Sequence, residues 1–133
     1  METIVFPDVE DLLQQYLTVQ LPLAGFDVPV HVKIPDPRPD SFVTIPRVGG
    51  VRRNMVVDTA TISVDCWGMT PQPALQLAQV TRGLIHGLID QQLGDYPVYR
   101  VDEFAGPGNN PDPVSYHSRY TATYSVFIRG RAI

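Results

Sequence analysis

The chain has 133 residues, a length that suits one domain spanning residues 1–133 and lets roughly 65–70% of the unfolded surface be buried without disulfide or metal staples. A formal net charge of −4 argues against a protein whose main work is gripping nucleic acid, and a single cysteine, Cys66, excludes an internal disulfide. Proline, 13 residues, stands at about twice its usual share, which points to edges, loops and extended connections over long regular elements.

The N-terminus has no basic flank before its apolar residues and turns acidic at once, unlike a secretory signal. No apolar run approaches the ~20 residues that span a bilayer, so a cytosolic site of synthesis is expected. The first periodic segment is "PDVEDLLQQYLTVQL", where Val9, Leu12, Leu13, Tyr16 and Leu17 share one helical face. Pro7 suits the first turn of that helix, Asp8, Glu10 and Asp11 suit its positive end, and Pro22 is expected to stop it.

From "DVPVHVKIP" the period changes to two, with Val28, Val30, Val32 and Ile34 on one face; Pro29 assigns this strand to an edge. "SFVTIPRV" reads as a second strand interrupted by Pro46. A double glycine, Gly49 and Gly50, follows and reads as the bend of a hairpin. In "MVVDTATISVDCWG", Ala60, Ile62, Val64 and Cys66 alternate with Thr59, Thr61, Ser63 and Asp65, the pattern of a half-buried strand whose polar face is solvated or covered by a partner.

Thr70 and Pro71 open a second helix with the stripe Ala74, Leu77, Ala78, Thr81, Leu84, Ile85 and Leu88, and Gly94 is expected to cap it. Gly83 and Gly87 weaken that helix, and close packing against a sheet or another subunit would account for them. "YPVYRVDEF" reads as a fourth strand, and "AGPGNNPDP" as an irregular loop. The last strand places Tyr116, Ser118, Tyr120, Ala122, Tyr124, Val126 and Ile128 on one face. The order helix, three strands, helix, two strands specifies an α+β fold, two helices packed on a mainly antiparallel sheet.

Chemistry finds little purchase. A phosphate loop needs converging amides at a helix start and usually a lysine, whereas Gly49 and Gly50 lie between strands. His31, His86 and His117 fall on separate elements without metal-ligand spacing. Asp58 and Asp65 are an odd number of residues apart and so face opposite sides of a strand, and no nucleophile elbow surrounds Ser63 or Cys66. Neither enzymatic activity nor a cofactor or metal is expected. Arg47, Arg52 and Arg53 then form a charged hairpin rim, available to a partner.

Four stretches carry a resemblance: "FPDVEDLLQQYL", "VTIPRVGG" followed by "DTATISVDCWG", "PALQLAQVTRGLI" and "RYTATYSVFIRG". Together with the element order, they resemble the tail terminator proteins of long-tailed, siphovirus-type bacteriophages, in the version common among actinobacterial phages. The resemblance implies a virion protein of the tail or neck, assembled in the host cytoplasm, that forms a hexameric ring on the tail tube. Such a ring stops tube growth and meets the head-completion or connector protein, while DNA passes through unread. The residues assigned to subunit or partner contact are Arg47, Gly49, Gly50, Arg52, Arg53, Pro107, Asn109, Asn110 and Asp112. Another neck or head-completion component stays open, as does, in a different class, a small nucleic-acid-binding domain built on the Arg47–Arg53 hairpin.

Overall fold

A computed structural model describes residues 2–133. Helix α1, Val9–Leu23, begins where the Asp8 side chain accepts the Asp11 amide at 3.2 Å, so Pro7 lies just before the cap and not in the first turn. Its buried stripe is Val9, Leu13, Leu17 and Leu21, with Leu12 and Tyr16 packed at the margin. The helix absorbs Pro22 into its last turn. Termination comes three residues later at Gly25, φ +95°, where Gly25 N–H donates to Pro22 O and Phe26 N–H to Leu21 O.

Strand β1, Ile4–Val5, precedes the helix, and β2, Val30–His31, and β3, Phe42–Thr44, follow it. The strand expected over residues 28–34 is reduced to two residues, paired parallel to β3 at the sheet edge, where Pro29 lacks a donor but supplies a carbonyl to Val43 N–H. Pro46 divides β3 from β4, Arg47–Gly49, and both lie along the same long strand β5, Val57–Gly68.

Helix α2, Pro71–His86, buries Ala74, Leu77, Ala78, Thr81 and Ile85. It ends at Gly87, seven residues before the expected cap. Gly94, φ +61°, instead makes the two-residue turn between β6, Gln92–Leu93, and β7, Tyr96–Asn109. Strand β8, Ser118–Arg129, and β9, Arg131–Ala132, complete the chain. The main sheet runs β2-β3-β5-β8-β7-β6, with β4 beside β5; β1 and β9 form a separate antiparallel pair. All its pairings except β2–β3 are antiparallel.

Strand β7 extends through "AGPGN", a stretch expected to be a loop. Two bulges absorb the irregularity, and beyond Val98 no strand lies on its outer side among the described residues, so Pro107 need not donate to a ladder. β5 and β8 form the spine, paired at every position from Val57↔Arg129 to Gly68↔Ser118. Both helices cover one face of this spine. There Ala60, Ile62, Val64, Cys66, Ala122, Tyr124, Val126 and Ile128 join the two helical stripes in one core. Tyr16 fastens helix to helix through its hydroxyl, which donates to Leu84 O at 2.8 Å.

Candidate functional site

The opposite face of the spine divides into three zones. At the Gly68 end, Trp67 stacks on Phe42 with centroids 4.8 Å apart, and its indole N–H donates to Thr44 Oγ1 at 3.2 Å. Arg38 and Arg119 lie over the indole at 5.5 and 5.0 Å, and buried His117 meets both rings edge-on. His117 is bound through its two ring nitrogens to Ser115 Oγ and Pro39 O, which gives it a structural place.

The middle zone is a saddle of hydroxyls from Thr59, Thr61, Ser63, Thr121, Thr123 and Ser125, with Thr61 and Ser125 bonded at 2.9 Å. Asp65 sits in this row between Thr44 and Thr121, and its buried Oδ1 has no partner among the described residues. Burial raises its pKa, against the opposing pull of Thr121 and Arg119. At the Val57 end, the guanidinium groups of Arg53 and Arg100 lie 5.3 and 5.0 Å from the Phe127 ring centre.

The Arg47–Arg53 segment is a hairpin arm, and its bend lies beyond the glycines. Val48 bulges out between the pairs Arg47↔Ile62 and Gly49↔Thr61. Gly50, φ +97°, then passes so close to β5 that a Cβ there would lie 1.9 Å from Thr59 O. The turn itself is Arg53–Val57, where Arg53 N–H donates to Val57 O and Asn54 Oδ1 accepts both the Val56 and Val57 amides at 2.9 Å. The expected bend at Gly49–Gly50 is thus corrected. Those glycines permit a bulge and a close backbone crossing.

The three arginines of this segment part company. Arg47 pairs with Asp58 at 3.0 Å, its side chain donates to Thr59 O and Gly49 O, and its backbone N–H donates to Glu10 Oε2, so it ties hairpin to sheet and helix. Asp58 is buried and needs this cation. Arg52 and Arg53 are exposed, with no carboxylate within salt-bridge distance among the described residues. Around them Val48, Val51 and Met55 are 60, 76 and 60% exposed.

The second group of expected contact residues lies at the opposite end of the spine. Pro107 and Asn109 belong to β7, and Asn110 and Asp112 to the loop that follows. Asp112 is inward and structural. Its Oδ2 accepts the Ser115 hydroxyl and amide and an Arg38 N–H at 2.5 Å, and these bonds, Ser115's first, hold its carboxyl well below the usual carboxylate range. Beyond it Val114 and Tyr116 are 73 and 89% exposed, and Tyr116 has φ +63°. Tyr116 therefore leaves the core register expected for it. Eleven strand steps separate the two ends, roughly 36 Å at ~3.3 Å per residue.

Two further features bear on chemistry. Glu103 is held by Arg82 through two 2.7 Å bonds and by His86 at 3.0 Å, and these bonds lower its pKa, which keeps it a fixed anion and a poor proton donor. Burial pushes the Cys66 thiol up to about 12, so it behaves as an inert core residue. Among the described residues no group of three or more metal-ligating side chains converges, and no helix is long and apolar enough to cross a membrane.

Sequence reading missed the exposed apolar residues of both ends and the Phe127 site. The available signal for the latter was Phe127 itself, an isolated aromatic in the polar register of β8. Neither the protein-family models nor the curated proteins contain a match to this chain.

Proposed function

We propose that the chain is a structural assembly protein of a phage tail, a terminator subunit that joins others in a ring, caps the tail tube and presents its far side to the head connector. One observation carries the reading. Both ends of a roughly 36 Å spine present large apolar side chains to solvent, Val51 and Met55 at one and Val114 and Tyr116 at the other. Exposed apolar residues grouped on projecting segments mark protein contacts, and methionine and arginine are favoured in them. Two separated contact surfaces suit a subunit placed between a tube and a connector, while the hydroxyl saddle and the open edge of β7 suit lateral, heterologous contacts that close into a ring.

The test pairs light scattering with capture on purified tail-tube protein. The reading expects a discrete oligomer, hexameric, at high concentration or with tube present, and retention on tube protein that Met55→Asp abolishes. A protein that stays monomeric throughout and passes tube protein without retention overturns it.

A further inference from the structure

At the Val57 end, Arg53, Val57, Tyr99, Arg100 and Phe127 line an open cleft of about 270 Å³. Its floor is apolar, formed by buried Val57 and Phe127. Its rim is cationic, but the cations differ. Arg100 is already neutralised by Asp102 through bonds of 2.6 and 2.9 Å. Among the described residues Arg53 makes no side-chain hydrogen bond, so its guanidinium donors are unspent there. Arg129 donates one N–H to the Tyr99 hydroxyl at 3.1 Å, which leaves the phenol proton directed elsewhere.

We infer that this cleft is a carboxylate-binding site for an acidic, extended segment of a partner protein. The unpaired fork of Arg53 matches a carboxylate in two parallel hydrogen bonds, with the Tyr99 hydroxyl as a third donor. Tyr99 leads directly onto the stretch of β7 whose outer side has no strand, so an extended segment entering the cleft can continue along that edge by main-chain pairing. Nucleic acid fits less well. The Phe127 ring is already covered by two guanidinium groups and offers no stacking platform, and a chain of net charge −4 is poorly suited to holding a phosphate track. The inference deepens the assembly reading by giving the partner at one end a chemistry, and it rests on that reading only for the partner being a protein.

The experiment titrates the full chain with a terminally blocked peptide of alternating glutamate and valine, following the Tyr99 and Phe127 ring resonances and the Arg53 Nε–H. A lysine–valine peptide and an oligothymidylate of equal length serve as comparisons. Saturable shifts at those three residues with the acidic peptide alone are expected, weakened about tenfold by Arg53→Gln and by less than about twofold by Arg131→Gln, which lies at the same end outside the cleft. Arg53 is exposed in a turn, and unchanged fluorescence of buried Trp67 verifies that the variant folds. Absence of saturable shifts, equal weakening by both variants, or binding of oligothymidylate in place of the peptide overturns the inference. So does a concentration-dependent oligomer that Arg53→Gln dissolves, which would assign the cleft to a second copy. Because no tail tube is used, failure here leaves the capping reading standing, and failure of capping leaves a positive titration standing.

Discussion

Replacing Gly50 with alanine, beside the same change at Gly49, separates two glycines that look interchangeable in "VGG". At Gly50 the backbone is at φ +97°, and an added Cβ would lie 1.9 Å from Thr59 O and 2.9 Å from Thr61 N. Positive φ alone costs an alanine roughly 1–2 kcal/mol. The carbonyl of Thr59 must also retreat by about 1.5 Å to reach ordinary contact. That movement disturbs the Thr59 N–H to Val51 O bond and the Arg47 bond to Thr59 O, each contributing about 1 kcal/mol. The total is about 3–4 kcal/mol, a large share of the ~5–15 kcal/mol that holds a domain of this kind together. Gly49 has no positive φ and nothing within 4 Å of a Cβ, so its alanine variant stays within about 0.5 kcal/mol of the parent. Urea unfolding followed by fluorescence of the only tryptophan, Trp67, measures both. With a slope of about 1–3 kcal/mol per molar urea, Gly50→Ala moves the midpoint down by more than about 1 M. Equal midpoints for the two variants would refute the close crossing at Gly50.

Gly83→Ala should stabilise the chain by up to about 1 kcal/mol, because a Cβ there meets open space on the exposed face of α2; a loss in thermal midpoint of the isolated chain would contradict that geometry. Asp65→Thr extends the hydroxyl row and removes an unpartnered buried oxygen, so it should stabilise by about 1 kcal/mol at neutral pH. Since burial raises the Asp65 pKa in the folded state, the cost of its charge appears as pH rises through and above the unfolded value of ~3.9, and the gap between variant and parent should close toward acid. Asp112→Asn works in the opposite direction, losing about 2–3 kcal/mol at neutral pH as Arg38 and Ser115 lose their anion. The folded Asp112 pKa is depressed, so its contribution is fully present above ~3.9 and disappears as pH falls toward the folded value; a gap that widens in acid would be inconsistent.

The stripes of both helices and the alternation of β5 were legible because each element has one face against a single core. Val9, Leu13 and Leu17 in α1 and Ala60, Ile62, Val64 and Cys66 in β5 are all buried as their spacing requires. Ends were harder. Local signals at Pro22 and Gly94 suggested stops, yet α1 tolerates Pro22 in its last turn and α2 ends at Gly87 before reaching Gly94. Proline and glycine in "AGPGN" suggested a loop, whereas an edge position and bulges let β7 continue. The contact candidates were legible only as two segments. That Arg47 and Asp112 turn inward to pair with Asp58 and Arg38, while Val51, Met55 and Tyr116 turn outward, depends on tertiary partners distant in sequence. Trp67 lies at the end of β5, and its partners Phe42, Arg38 and His117 arrive from three other segments.

The most direct measurement adds the chain to polymerising tail-tube protein and records tube lengths by electron microscopy. Short tubes with a ring of density at one end are expected, and uncapped growth when both Met55→Asp and Tyr116→Asp are introduced. Tubes of unchanged length without terminal density, at a concentration of chain equal to that of tube protein, would contradict it.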